Sequence, residues 1–295
     1  LIVFPVIFDW GIRVPYYLYY LAYLGIFLAA ICVAGLVFLI VSREPTLSLV
    51  KRYAGMQASG VNQASSALLV LCIAFLLNDV GQIRQKASDT LLLEADILRT
   101  MGRVAVNLPR DVGEPLQNLL VAYSDAVLNE DWPRMQNGTR DQNNTSAGSL
   151  AKIIGISDFV YSNLYQFGHP QIGQQMLSSV TKLREYRLQR IEVSLKHPTI
   201  EKVALGLFFC LNAILVLMLT HADRPKPLFA ATFLFTWLSL SALHTSLIMH
   251  NPYAGIDPIS PAPIAAASAR LKVMARSSET IFTGNPATAT PLQQR

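Results

Sequence analysis

The stretch ASGVNQASSALLVLCIAFLLNDVGQIRQK, residues 58–86, decides how this chain is read. Its unbroken apolar run, residues 67–77, is too short to cross a bilayer alone, since a spanning helix needs about 20 predominantly apolar residues. Asn62, Gln63, Ser65 and Ser66 precede the run, Asn78 and Asp79 follow it, and no breaker separates it from the charged sequence beyond. It is a buried soluble helix, a poor membrane anchor, or a span with one face that need not meet lipid.

The rest of the chain selects among these. Of 295 residues, 52% are hydrophobic and 15% charged, against roughly 25% charged in a soluble domain. The charges cluster between residues 79 and 202, with apolar blocks on either side. Residues 16–41 form a span fronted by the aromatic YYLYYLAY belt. Residues 60–78 form the second span, 203–220 the third and 229–249 the fourth. The fold class is therefore an all-α membrane protein with four transmembrane helices and a helical cytoplasmic region between the second and third. Four segments follow: 1–78, 79–202, 203–250 and a 251–295 tail.

The net charge of +5 would suggest nucleic acid in a soluble chain; here orientation in the membrane accounts for it, and no nucleic-acid partner is expected. With four spans, Arg13, Arg84, Lys86, Arg187, Arg190, Lys196, Lys202, Arg270 and Lys272 lie on one side. Arg43, Lys51, Arg52, Arg224 and Lys226 lie on the other. Positive charge marks the cytoplasmic side, so the soluble block and both termini are expected in the cytoplasm, at a bacterial inner membrane. No cleavable signal peptide is read. The middle block has helical apolar spacing over residues 81–108, 115–132 (with Pro133 just past the end), 150–167 and 172–195. One short helix is expected at 263–275 in the tail.

On a helix of 3.6 residues per turn, Asn62, Ser66, Leu69, Ile73, Leu76 and Asp79 share a stripe that is polar at each end and apolar between. Ala67, Val70, Leu71, Ala74 and Leu77 lie opposite, suited to packing or lipid. The stripe reads either as a packing seam or as a pore lining whose centre is a hydrophobic constriction. Asn212 in the third span, and Ser241, His244 and Thr245 in the fourth, suit interhelical hydrogen bonds such as Asn212 to His244. Cys32, Cys72 and Cys210 sit singly in apolar segments, and no Cys/His metal pattern, phosphate loop or nucleophile motif occurs. No enzyme activity, cofactor or metal is expected.

The order of short motifs after the second span is informative. DTLLLEADILRTMGRVAVNLP (89–109), LLVAYSDAVLNEDWPRMQNG (119–138), KLREYRLQRI (182–191) and HNPYAG with ISPAP (250–263) follow one another. In this order they resemble the bestrophin-like membrane proteins. Glu94, Tyr123, Trp132, Pro133, Arg187, Pro252 and Gly255 match the family's motif positions, with Asp131 standing where the family tends to have Glu. The resemblance implies kinship with bestrophins, pentameric anion channels whose second helix lines the pore through a hydrophobic neck. It would map that neck onto Leu69, Ile73 and Leu76, with Arg84 and Lys86 as vestibule charges favouring anions. Bestrophins carry an acidic calcium cluster after the last span; here only Asp257 stands there, which speaks against calcium gating. The bestrophins' aromatic neck is not matched, because Phe75 lies off the stripe.

Two readings follow. One is a homo-oligomeric ion channel in the lipid bilayer. The other is a non-conducting accessory subunit, docked on other membrane subunits through residues 1–15 and 276–295.

Overall fold

A computed structural model of the chain describes residues 16–43, 48, 59–137, 148–167, 169–195, 200–221, 225–254 and 257–283. The 1–15 segment, Gly255 and the last twelve residues fall outside these. The described elements are all helical. They are α1 (Tyr16–Val41), α2 (Ser59–Val106), α3 (Arg110–Ala126), a π-helical turn (Val127–Asp131), α4 (Trp132–Asn137) and α5 (Ser149–Ser162). After a 3-10 turn (Leu164–Phe167) come α6 (Pro170–Leu195), α7 (Ile200–His221), α8 (Pro225–Ile248) and α9 (Ala262–Thr283). Four of them, α1, α2, α7 and α8, are long and apolar enough to cross a membrane.

The helices pack as two units. Among the described residues, the first holds 16–85 and 200–258, and the second holds 86–195 and 259–283. Each is discontinuous in sequence, because α2 enters both.

In the first unit, α1 and α8 pack along each other. Phe27 meets Phe233 at 5.3 Å and Trp237 at 5.8 Å, both edge-on, the geometry that the aromatic quadrupole favours. On α7, a Cβ at Gly206 would lie 2.7 Å from Leu243 Cδ2 of α8, so a larger residue there would require that side chain to shift. Val37, Val41, Leu69, Cys210, Ala213, Ile214, Leu217 and Leu228 close the core. Two polar pairs tie the helices. Tyr23 and Thr245 share a hydrogen bond of 2.7 Å, and Asn212 Nδ2 donates to Ser65 Oγ at 3.1 Å. Asn212 thus pairs with α2 and not with His244, whose ring instead stands edge-on to Tyr23 at 5.0 Å.

In the second unit, α2 continues without a break past the apolar run. It buries Ala87, Leu91, Ala95, Leu98, Met101 and Ala105 along one i, i+3/i+4 stripe. The connection to α3 is tight: a Cβ on Gly113 would sit 2.4 Å from the Ala105 carbonyl oxygen. Leu116 and Leu120 of α3, Ile153, Ile156 and Val160 of α5, Met176, Val180 and Leu183 of α6, and Ile264, Ala267 and Leu271 of α9 complete this core. Asp125 of α3 accepts from Lys272 Nζ at 2.8 Å and Ser268 Oγ at 3.1 Å, pinning α9.

Several boundaries differ from the sequence expectation: α3 begins at Arg110 rather than 115, and the helix expected over 150–167 ends at Ser162 before the 3-10 turn. Pro133 does not follow a helix end: helical structure runs through the π turn into α4. Proline lacks an N–H and crowds the carbonyl four residues back, and the wider turn just ahead of it relieves both demands. The tail helix extends to Thr283 rather than stopping near 275.

Candidate functional site: a free helix face and a buried charge network

Within the first unit, α2 has two unlike faces. Leu69 is 2% exposed in the core cluster, and Ile73 packs against that cluster. Ser65, Cys72, Val80 and Ile83 are buried too, while Ser66, Leu76 and Asp79 are half-buried. The stripe that was expected to face a lumen is therefore largely the packing stripe, and its burial removes Leu69 from any aqueous path. The side chain of Asn62 lies outside the described residues. Both faces of this helix are rich in Leu, so its own sequence could not say which one α7 and α1 would cover.

The opposite face is exposed among the described residues. Leu68, Leu71 and Phe75 are exposed, Phe75 by 64%, and Gln63 precedes them while Asn78, Gln82 and Gln85 follow. Phe75, off the expected stripe, lies on the open one. Leu68, Leu71, Phe75, Asn78 and Gln82 also form one wall of an open groove of about 470 Å³, whose other wall is Lys202, Leu205 and Phe209 of α7.

The charges of this region are held in pairs. Lys202 Nζ donates to Asp79 Oδ2 at 2.6 Å. Arg84, expected as a vestibule charge, donates through Nη2 to both the side chain and the backbone carbonyl of Asp257 at 2.7 Å each. Lys86 is exposed.

The family-motif residues mostly gather elsewhere, inside the second unit. Arg190 is 0% exposed. Its Nε donates to Glu94 Oε2 at 2.9 Å, and its Nη2 reaches Glu94 Oε1 at 3.4 Å and Asp131 Oδ2 at 3.2 Å. Its Nη1 contacts Met135 Sδ at 3.4 Å. Tyr123 Oη donates to Glu94 Oε1 at 2.6 Å. Arg187 Nε lies 3.6 Å from Asp131 Oδ2, and Ser149 Oγ bridges the two, accepting from Arg187 and donating to Asp131.

Two carboxylates thus face two guanidinium groups in a neutral, hydrogen-bonded knot, the arrangement that allows charge to be buried. Burial drives the Tyr123 phenol well above its ordinary value, and the negative Glu94 adds to this, so the phenol remains a donor. Arg187 is shifted down because desolvation outweighs the attraction of Asp131. Both carboxylates are spent on these donors, so the set is not a metal's.

Local structure brings these groups together. The π turn inserts a residue after Val127, so Asp131 and Met135 stay on the buried side begun by Tyr123 while Asn129 and Glu130 face out. Gly148, at φ +96°, turns the chain so that Ser149 enters beside Asp131. Trp132 is buried and Pro133 half-buried beside the knot in sequence; Pro252 is buried in a turn where Asn251 Oδ1 accepts the Tyr253 N–H at 3.0 Å. Sequence reading placed Arg187 and Arg190 among juxtamembrane charges. Their place on the stripe Met176, Val180, Leu183, Arg187, Arg190 was the signal that they point inward.

Four helices of membrane-spanning length, with a helical region between the second and third that holds a buried acid–arginine knot, define a class of all-α integral membrane protein. The family model of the Bestrophin-like domain matches residues 28–264, and the chain belongs to that family. Among solved structures it is similar to a bacterial bestrophin homologue from Klebsiella pneumoniae. The form of that protein phased on zinc gives a TM-score of 0.59 at 10% identity, over 86% of this chain and 98% of that one. Two point-substituted forms give 0.63 at 10% identity over 85% and 98%, and 0.61 at 10% over 89% and 99%. At such identity the likeness is one of fold. No curated protein matches the chain.

Proposed function

We propose that the chain is the subunit of a homo-oligomeric ion channel, pentameric by kinship with the bestrophins, and that the free face of α2 lines its lumen. The observation that carries this reading is the composition of that face: apolar at Leu68, Leu71 and Phe75, with carboxamides at Gln63, Asn78, Gln82 and Gln85. Polar groups directed at lipid are costly, whereas a wet lumen solvates them and leaves the apolar middle as a constriction that gates by dewetting. The role first expected of Leu69, Ile73 and Leu76 passes to Leu71 and Phe75, one turn apart on the open side. Ser66 and Asp79 remain at its margins.

Bilayer orientation follows the Lys/Arg excess, with the second unit and both termini in the cytoplasm of a bacterial inner membrane. Arg187 and Arg190 drop out of that count, since they serve the buried knot. An anion preference would rest on Lys86, because Arg84 is held by Asp257. The chemistry is passive permeation rather than catalysis.

The test is particle symmetry in mild detergent, followed by conductance after reconstitution into liposomes. A closed ring with Phe75 facing its axis, and a higher conductance in Leu71→Ala and Phe75→Ala, is the expected result. A monomer, or one copy among unrelated subunits, favours the accessory reading and sinks the channel.

A further inference from the structure

We propose that the lumen face of α2 carries no free charge because its two charged neighbours are masked within the subunit. Permeation would then discriminate by dehydration and size rather than by the sign of the ion. This rests on the channel reading above.

Between Gln63 and Gln85 every exposed α2 residue is uncharged. The charges in that stretch are Asp79 and Arg84. Asp79 is bound by Lys202 at 2.6 Å and Arg84 by Asp257 at 2.7 Å, all within the first unit. An ion pair presents a dipole to a distant ion, and its field falls faster than that of a single charge. Asp79 and Lys202 line the same groove as Asn78, Gln82 and Phe75, so unmasking either would put a charge at the edge of the face. The first charged residues beyond it that are exposed, Lys86 and Asp89, have opposite signs. What remains along the face is a set of carboxamides, which offer both N–H donors to anions and carbonyl acceptors to cations.

The experiment is the reversal potential of full-length protein in liposomes under a KCl gradient, for wild type and three variants. Wild type should show a K⁺/Cl⁻ permeability ratio near one. Lys202→Ala frees Asp79 and should shift the ratio toward cations; Asp257→Asn frees Arg84 and should shift it toward anions. A unit charge met at about 4 Å in water favours one ion about fivefold and disfavours the other about fivefold, so each ratio should shift by about 25-fold. Both pairs are partly exposed, with side-chain exposures of 45% and 36% for Lys202 and Asp79 and 20% and 79% for Arg84 and Asp257, so their loss costs little stability. Asn78→Asp places a charge directly on the face. If it moves the ratio while Lys202→Ala and Asp257→Asn do not, masking is overturned and the pore stands. A wild type with strong charge selectivity overturns masking as well. Absence of conductance in every protein overturns the channel reading and this inference with it.

Discussion

The acid–arginine knot makes the sharpest energetic prediction. Arg190→Met deletes a guanidinium that is fully buried and leaves Glu94, also fully buried, with Tyr123 as its one remaining partner among the contacts described above. Glu94→Leu does the converse: Arg190 must then share Asp131 with Arg187, two cations against one anion. Breaking one side of a buried pair costs about 3–5 kcal/mol, because the orphaned charge stays desolvated. The double variant Glu94→Leu/Arg190→Met removes both charges and keeps the volume. It leaves the Tyr123 hydroxyl without its acceptor, at about 1–3 kcal/mol, against a sum of about 6–10 kcal/mol for the singles. Thermal unfolding of the purified protein in detergent, followed by tryptophan fluorescence, reads this directly. At about 2–4 °C per kcal/mol, each single variant should lose about 6–20 °C in Tm, and the double should recover most of that. Single variants within a few degrees of wild type, or a double as damaged as the sum, would refute the knot as a coupled unit.

Three further outcomes are expected. Tyr123 has a folded pKa raised above its ordinary 10.0, so the native state keeps a proton that the unfolded state loses above about pH 10; stability is level below that and falls as pH rises further, and Tyr123→Phe should flatten the alkaline limb of a Tm–pH profile. Gly113→Ala drives a Cβ to 2.4 Å from the backbone oxygen of Ala105, which cannot swing aside as a side chain would; a loss of about 1–3 kcal/mol is expected by thermal unfolding. Asn212→Leu removes the 3.1 Å bond to Ser65, for which a loss of about 0.6 kcal/mol, and no more than about 1.7, is expected; a larger drop in Tm would show that Asn212 does more than tie α7 to α2.

Much of this molecule is determined by its sequence alone. Three long apolar stretches, a fourth whose short apolar run is extended by polar ends, and helical spacing through residues 81–195 suffice for an all-α membrane fold, because the bilayer demands that each span satisfy its own backbone. The ordered motifs around Glu94, Tyr123 and Arg187 suffice for the family. What the linear pattern could not supply was direction. The second span carries leucines on both sides, so only the arrival of α7, some 130 residues later, shows that Leu69 faces inward and Phe75 outward. The arginines of α6 looked like membrane-flanking charges; they are interior because Glu94 and Asp131, 96 and 59 residues away from Arg190, converge on them. Charge is read from sequence as a count, but its effect depends on who neutralises it, and Asp257, 173 residues from Arg84, neutralises one of the two cations expected at the vestibule. Local periodicity fixes which residues share a face; only the packing of distant segments fixes what that face meets.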